Sequence, residues 1–337
     1  MNKDKLSLFV KKLLLKFGIY SLFRKFAPNE KIAVLRYHAV VDADRNFYTS
    51  PPIALSPAAF ERHVQYFAKK YTVLSLDEVV DYIRQKKSPP KNAVVFTFDD
   101  GYADNLPAAR ILKKYGANGT FFITTDPIGR ETRLWLSEVT YLILKTTRSE
   151  FQISAGGENH SFSLTDLRSR WKAIRALVKL IKSNDRLVRD AVLQQLKEQL
   201  GEAQLLREIE NLILTWDEVK EMADMGMVIG SHTLTHLNLP NAAPEDAVKE
   251  IKESKAVLEQ KLGINIRHFS YPNSGPYDYF NERIREYVIE ANYDSSCTSM
   301  NGFLDTGSDL FALERVRTVP ELAEVVHALE WDRVLGA

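Results

Sequence analysis

The sequence predicts an α/β protein built on a largely parallel sheet, open or closed into a barrel, in one domain with an insertion. Three observations lead there. From Lys31 onward, short apolar strands alternate with amphipathic helices, the pattern of successive βα units. One segment, Ala93–Phe98, is apolar on both of its faces, as a central parallel strand must be. The 337 residues, 45% hydrophobic and 26% charged, suit a folded globular body and exclude disordered or fibrous classes.

Residues 1–30 read as a basic arm. Leu6, Phe9, Val10, Leu13, Leu14, Phe17 and Tyr20 share one helical face, with Lys11, Lys12, Lys16 and Arg24 around it. No apolar run approaches the roughly 20 residues of a membrane span. The lysines also interrupt any secretory core of about 7–15 apolar residues, so no cleavable signal peptide is recognised. This amphipathic helix has two readings: it lies on an anionic membrane surface, or it packs on the body with its lysines in solvent. The expected location is cytoplasmic, with peripheral attachment to the inner face of the cell membrane under the first reading.

The body follows in order, as residues 31–320. A strand over Ile32–Tyr37 ends at His38. Ser56-Pro57 opens a helix to about Tyr71, with Ser as N-cap and Pro at the first position. A strand over Thr72–Leu74, a helix over Leu76–Gln85 and the Ala93–Phe98 strand come next. A helix over Asp104–Tyr115 stops at Gly116, and Gly119–Thr124 is a strand. Residues about 130–210 break this rhythm. They are rich in Leu, Lys, Arg and Gln with helical periodicity, so a helical insertion on a βα loop is expected. The alternation then resumes: a helix over Trp216–Met225, a strand over Met227–Gly230, a helix over Glu245–Leu262 closed by Gly263, and a strand over His268–Tyr271. A helix over Phe280–Ala291, a last strand near Leu313–Val319 and a C-terminal helix within 321–337 complete the chain.

The net charge of +1 conceals an asymmetry. Residues 1–31 hold eight basic and two acidic groups, and the remainder hold 37 basic and 42 acidic ones. A mildly acidic body with a basic arm argues against a nucleic-acid partner. No Walker loop or Gly-x-Gly-x-x-Gly offers a nucleotide site. The single cysteine, Cys297, excludes an intramolecular disulfide and a Cys-based zinc site and reads as a buried, inert thiol.

Two motifs carry chemistry. The Ala93–Phe98 strand runs straight into Asp99-Asp100-Gly101-Tyr102, and paired carboxylates at the C-terminal end of a buried strand need something to stabilise their charge. The plain alternative is a turn with a capping Asp. The second motif, Ser231-His232-Thr233-Leu234-Thr235-His236, again follows a strand. His232 and His236, at i and i+4, would share one face of a helical turn and suit one metal ion. One carboxylate with two imidazoles fits a divalent transition metal: Zn²⁺, or Fe²⁺, Co²⁺, Mn²⁺ or Ni²⁺.

Together, Thr97-Phe98-Asp99-Asp100-Gly101-Tyr102 and Ser231–His236 closely resemble the first two motifs of the NodB-like polysaccharide deacetylases, carbohydrate esterase family four. The similar stretch runs from about Lys31 to Arg317. The resemblance implies a distorted (β/α)₇ barrel, with Asp99 as general base, Asp100, His232 and His236 as metal ligands, and a backbone N–H near Tyr102 facing the oxyanion. The segment Phe269-Ser270-Tyr271-Pro272-Asn273-Ser274-Gly275 resembles the family's third motif, which implies that Tyr271 and Pro272 line the substrate groove. Many members carry an Arg where this chain has Ser270. Arg315 or Arg317, near the last strand, could replace it beside Asp99; Arg315 is the choice made here, against a surface salt bridge for either.

The family's C-terminal Leu-x-x-His motif is missing around His327. Leu35-Arg36-Tyr37-His38 carries the pattern instead, resembling the circularly permuted exopolysaccharide deacetylases, and implies that His38 protonates the leaving amine. A core histidine is the plain reading. Trp135 and Trp216 are candidate sugar platforms or core residues, with Trp135 preferred for the groove. His63, His160 and His268 receive no role.

The implied function is metal-dependent removal of acetyl groups from N-acetylated aminosugars of a polysaccharide or its precursor. A deacylase of a lipid-linked saccharide or O-acetylated glycan, and a non-catalytic carbohydrate-binding member of the fold, are the alternatives. The implied partner is the acetylated glycan or lipid-linked saccharide, with an anionic membrane surface added under the first reading of the arm. The sugar and the oligomeric state are left open.

Overall fold

The computed structural model describes residues 7–129, 133–201, 203–209, 211–274 and 278–332. Gly275 and Leu6, named above, lie outside the described residues, as do positions 333–337 of the C-terminal segment.

Seven parallel strands form one continuous sheet: β1 (Ala33–Tyr37), β2 (Ala93–Phe98), β3 (Thr120–Ile123), β4 (Val228–Ser231), β5 (His268–Ser270), β6 (Ser295–Cys297) and β7 (Val316–Arg317). Their order across the sheet is β6-β5-β4-β3-β2-β1-β7, and the short strand Thr72–Val73 pairs with the start of β2. The sheet curls on itself. Leu313 bridges Cys297 of β6, and Val316 pairs with Leu35 of β1, so one short segment touches both edges. This is the distorted (β/α)₇ barrel.

Local chemistry sets the helices that return the chain between strands. Pro57–Lys70 begins with Ser56 accepting from the Ala59 N–H, and Ser75 with Glu78 forms a capping box on Leu76–Arg84. Thr215 and Glu218 do the same for Trp216–Asp224, and left-handed Gly263 closes Pro244–Leu262. All six residues of β2 are buried, and Phe98 stacks on Phe121 of β3 with centroids 4.4 Å apart. Gly230 lets β4 sit close between its neighbours: a Cβ there would lie 2.6 Å from Phe122 and 3.0 Å from the His268 carbonyl oxygen. Cys297 is buried, and burial pushes its thiol up to about 12, consistent with an inert side chain.

The insertion is not purely helical. Trp135–Lys145, Leu167–Lys182, Arg186–Leu200 and Ala203–Ile209 are helices, but Glu150–Ala155 and Glu158–Ser163 form an antiparallel hairpin. Gly156 and Gly157, at φ of 61° and 81°, supply the two left-handed residues that a tight hairpin turn needs. The alternating Phe151 and Ile153, buried beneath it, join Leu142, Leu177 and Leu196 in a hydrophobic cluster of the insertion's own. That cluster also includes Tyr48 and Tyr102 of the barrel's loop face, so the insertion packs directly beside the motif loops.

The arm is two helices, Leu8–Lys16 and Ile19–Phe26, separated at left-handed Gly18. It is anchored to the body. Tyr20 is buried and bonds the His327 ring at 2.9 Å, while Arg24, 6% exposed, pairs with Glu330, 1% exposed. The Arg24 guanidinium also lies 4.4 Å over the Tyr71 ring. Yet Phe9 and Phe17 are each 70% exposed and Phe26 is 77% exposed, so part of the arm's apolar surface stays uncovered. No helix among the described residues is long and apolar enough to cross a membrane.

Truncating Arg24 to Ala removes one partner of a buried ion pair from Glu330. The expected cost is about 3–5 kcal/mol of stability, read from urea unfolding. A change below about 1 kcal/mol would show that the arm is held by its apolar contacts alone.

Candidate active site

The C-terminal ends of the parallel strands converge on one cavity of about 1180 Å³. β1 delivers His38, β2 delivers Asp99 and Asp100, and β4 delivers His232 and then His236. Asp99 and Asp100 are each 3% exposed, so both carboxylates sit where unpaired charge is expensive.

The two are stabilised by different partners. Arg315 grips Asp99 with both ends of its fork: Nη1 donates to Oδ1 and Nη2 to Oδ2, each at 2.8 Å. The guanidinium is aimed by further bonds, from Nε to the Thr298 carbonyl at 2.8 Å and from Nη2 to the Ser270 hydroxyl at 3.1 Å. Burial alone would raise the Asp99 carboxyl, but Arg315, with His232 and His38 nearby, holds it well below the usual range. Asp99 is therefore an ionised carboxylate at neutral pH. Arg317 does not reach it and lines the cavity instead.

Asp100 faces the imidazoles. Its Oδ1 lies 3.5 Å from His232 Nε2 and 3.4 Å from His236 Nε2, and all three donor atoms lie within 4.8 Å of one another. Those separations are long for hydrogen bonds but suit donors sharing one ion at bond lengths of roughly 2.0–2.2 Å. His232 Nδ1–H donates to the Ser270 carbonyl at 2.8 Å, which fixes the tautomer and leaves the Nε2 lone pair facing Asp100. One carboxylate oxygen and two imidazole nitrogens, buried and convergent, thus fit a divalent transition metal.

His232–His236 does not form the expected helical turn; the segment is a loop. Thr233 and His236 are both left-handed, at φ of 68° and 57°, and Thr233 Oγ1 accepts from the His236 N–H at 3.0 Å. Beyond β4 the chain bends sharply enough to bring both rings to one carboxylate, which a helix starting there would not require. Asp100 and Asn273 are left-handed too, so three of the seven described non-glycine residues with positive φ line this cavity, and Thr233 sits between two residues that do. Backbone strain is concentrated where side chains must converge. Glu250 holds the loop by accepting from the Thr235 N–H at 2.8 Å.

His38 Nε2 lies 3.8 Å from Asp99 Oδ2. Burial pushes its imidazole down to about 4, against the pull of Asp100 and Asp99. Its loop is tied to the residues after the carboxylate pair, since Asn105 donates to the His38 carbonyl at 2.9 Å and Asp104 accepts from the Val40 N–H at 3.0 Å. Tyr102 lines the cavity with its ring 5.2 Å from that of Tyr48.

Three expected groove residues sit elsewhere. Tyr271 is fully buried, bonding the Phe311 carbonyl at 3.0 Å and stacking on Phe280, and neither it nor Pro272 reaches the cavity. The chain leaves strand geometry beyond β5, with Asn273 left-handed at φ of 80°, and Asn273 and Ser274 line the cavity instead. Trp135 is 3% exposed and stands behind His236, donating from Nε1 to its carbonyl at 3.1 Å. It supports a ligand loop and does not form a sugar platform. Trp216 lies against Gly129, away from the cavity.

Sequence reasoning missed the wall opposite the barrel. Helix Leu167–Lys182 of the insertion turns Trp171, Ile174, Val178 and Lys182 toward the cavity. Their i, i+3 and i+4 spacing was legible, but nothing in it says that this face meets a site. Lys182 comes close enough to Asp100 to feel its charge, and burial pulls its ammonium down to about 8.

A family model described as polysaccharide deacetylase matches residues 86–295. The Bacillus subtilis (strain 168) protein YxkH is 23% identical over 295 residues, spanning 87% of this chain and 73% of that one. Among solved structures, a Streptococcus pyogenes deacetylase, PplD in complex with acetate, matches with a TM-score of 0.56 at 22% identity, over 86% of this chain and 93% of that one. IcaB from Ammonifex degensii matches with a TM-score of 0.57 at 18% identity, over 90% and 97% respectively. These structural likenesses show a shared fold.

The buried Arg315–Asp99 pair makes a thermodynamic prediction. Arg315→Met should cost about 3–5 kcal/mol, because it strands a buried carboxylate. Combining it with Asp99→Asn should cost clearly less than the sum of the two single changes, by urea unfolding. Additive costs would mean that the pair is not coupled.

Proposed function

The chain belongs to the polysaccharide deacetylase family, and from that premise we propose that it hydrolyses the acetamido groups of N-acetylated aminosugars in a polysaccharide or its precursor. The observation that carries the reading is the division of labour between the two carboxylates. Asp100 faces two imidazoles as a ligand would, while its neighbour Asp99 is kept ionised by Arg315 and turned away from that set.

Asp100, His232 and His236 would hold a divalent transition metal, probed first as Zn²⁺. Such an ion supplies Lewis acidity toward an acyl oxygen and lowers the pKa of nearby water. The remaining work belongs to the chain. Asp99 accepts the proton of the attacking water, and Arg315 fixes both of its oxygens so that this basicity is directed. A backbone N–H near Tyr102 faces the oxygen that gains charge. His38 delivers a proton to the leaving nitrogen. Its imidazole is neutral at rest at pH 7, so it becomes an acid only by taking up a proton during the reaction, and Asp99 at 3.8 Å can pass one on.

The arm has a role of its own in this reading. It attaches the protein to an anionic membrane surface through the exposed Phe9, Phe17, Leu22 and Phe26, with Lys11, Lys16 and Lys25 beside them. Lys12 pairs with Glu321 at 2.8 Å, four residues beyond Arg317 of the cavity wall, so the first arm helix lies toward the end of the barrel that carries the mouth.

Two sets of measurements test these assignments. Asp100→Ala should lose its bound metal by elemental analysis, whereas Asp99→Asn should keep it and still lower acetate release about 100- to 10,000-fold. Full activity in Asp99→Asn, or full metal content in Asp100→Ala, would overturn the assignments. For the arm, wild type should float with vesicles containing phosphatidylserine and lose most of that binding on combined Phe9→Ser, Phe17→Ser and Phe26→Ser substitution. Equal flotation of the two proteins would remove the membrane role.

A further inference from the structure

The cavity walls carry an excess of positive charge that deacetylation does not require. Only two carboxylates line the cavity among the described residues, Asp99 and Asp100, and both are engaged by the groups described above. Six cations line it: Arg36, Arg168, Arg175, Lys179, Lys182 and Arg317. Among the described residues, all of these except Lys182 lack an ion pair with a carboxylate.

The barrel side of the excess is the costlier. Arg36, half-buried on β1, stands near both Arg315 and Arg317, with Asp99 as their shared counter-charge. Its Nη1 donates to the Ser299 carbonyl at 3.3 Å, and its Nε is buried with no partner among the described residues. Burial, followed by repulsion from Arg315, pulls its guanidinium down to about 10. A fold that keeps so unfavourable a cation beside a cavity gains from an anion placed there.

The insertion supplies the facing wall. On helix Leu167–Lys182, Arg175 and Lys179 are one turn apart, about 6 Å along the axis, with Arg168 two turns earlier. Trp171, Ile174 and Val178 lie on the same face. Cations and apolar groups therefore alternate along one wall. A neutral glycan would leave these cations without partners and wet the apolar ridge.

We propose that the acetylated sugar turned over at this site carries a phosphoryl group, held between Arg36 and Arg317 on the barrel and Arg168, Arg175 and Lys179 on the insertion helix. The inference rests on the deacetylase reading and deepens it by naming the substrate class. A diphosphate that links the sugar to a further group carries two negative charges spread over its non-bridging oxygens, enough to engage several cations at once, whereas a single sugar carboxylate offers one. Trp171, Ile174 and Val178 then face whatever the phosphoryl group links to the sugar. A hydrocarbon chain suits that ridge better than a nucleoside, although the phosphoryl chemistry is common to both.

Acetate release by the metal-loaded protein should be compared on four substrates: a short prenyl-diphospho-N-acetylglucosamine, uridine-diphospho-N-acetylglucosamine, chitotetraose and an N-acetylated oligosaccharide bearing uronic acids. The expected result is a kcat/KM at least about 100-fold higher for a phosphoryl substrate than for chitotetraose. Charge reversal by Arg175→Glu with Lys179→Glu, both on exposed positions, should collapse that ratio at least about tenfold. Preference for the prenyl or the nucleotide compound identifies the source of the phosphoryl group, and either supports the inference. Equal rates on phosphoryl and neutral substrates, a preference for the uronic acid, or a ratio unmoved by charge reversal would overturn it. Calorimetric binding of N-acetylglucosamine 1-phosphate, against N-acetylglucosamine itself, separates this inference from the one beneath it. Selective binding lost on charge reversal, without turnover of any substrate, sinks the deacetylase reading and retains the anion site; turnover without selectivity does the reverse.

Discussion

Two adjacent carboxylates, both buried at the end of β2, are the constraint on which the rest of this structure depends. Left to themselves, Asp99 and Asp100 would repel one another and protonate. They remain charged because consecutive side chains at the end of a strand point in different directions and find different partners. Asp99 meets the fork of Arg315, which arrives from the far edge of the sheet at β7. Asp100 meets His232 and His236 from β4. Closure of the barrel thus has an electrostatic purpose: without the segment that joins β6 to β1, Arg315 would not lie against β2. The left-handed backbone at Asp100, Thr233, His236 and Asn273 is the local cost of making these groups converge.

The additions to the barrel follow from where that centre opens. The insertion has a core of its own, so it can hold a rigid helix over the cavity mouth, and it brings cations and a tryptophan that the barrel loops lack. The arm is tied down by the buried Arg24–Glu330 pair yet keeps aromatic side chains in solvent. The near-neutral total charge therefore describes no surface of this protein. Basic groups collect on the arm and around the cavity, while acidic ones are spread over the body.

What was legible in the sequence was mostly local. The strand–helix alternation and the caps at Ser56, Ser75 and Thr215 are short-range signals, and most elements follow them to within a residue or two; the last strand is shorter than expected, and the buried strand Ser295–Cys297, rich in small polar residues, was not among the expected strands. Asp99, Asp100, His232 and His236 were legible because two compact motifs carry them. Arg315 is different: only its place near the last strand and the Ser at position 270 pointed to it, yet it lies in bidentate contact with Asp99. Tyr271, Pro272 and Trp135 were assigned to the groove because sequence proximity does not tell which face a side chain takes; beyond β5 Tyr271 goes into the core, and the left-handed backbone at Asn273 puts that residue in the cavity wall. The hairpin at Gly156-Gly157 was written in its turn residues but hidden by the helical composition around it. The cation wall of Leu167–Lys182 was hidden for another reason: its pattern is that of any amphipathic helix, and only tertiary placement gives it a cavity to face.

The central claim is that the neighbouring carboxylates have separate duties, one binding metal and one free to move a proton. Anomalous diffraction from crystals soaked in zinc tests it most directly. The account predicts a single strong site bonded to Asp100, His232 and His236, with Asp99 outside bonding distance and still gripped by Arg315. A metal bonded to Asp99, or a strong site elsewhere with this one empty, would contradict it.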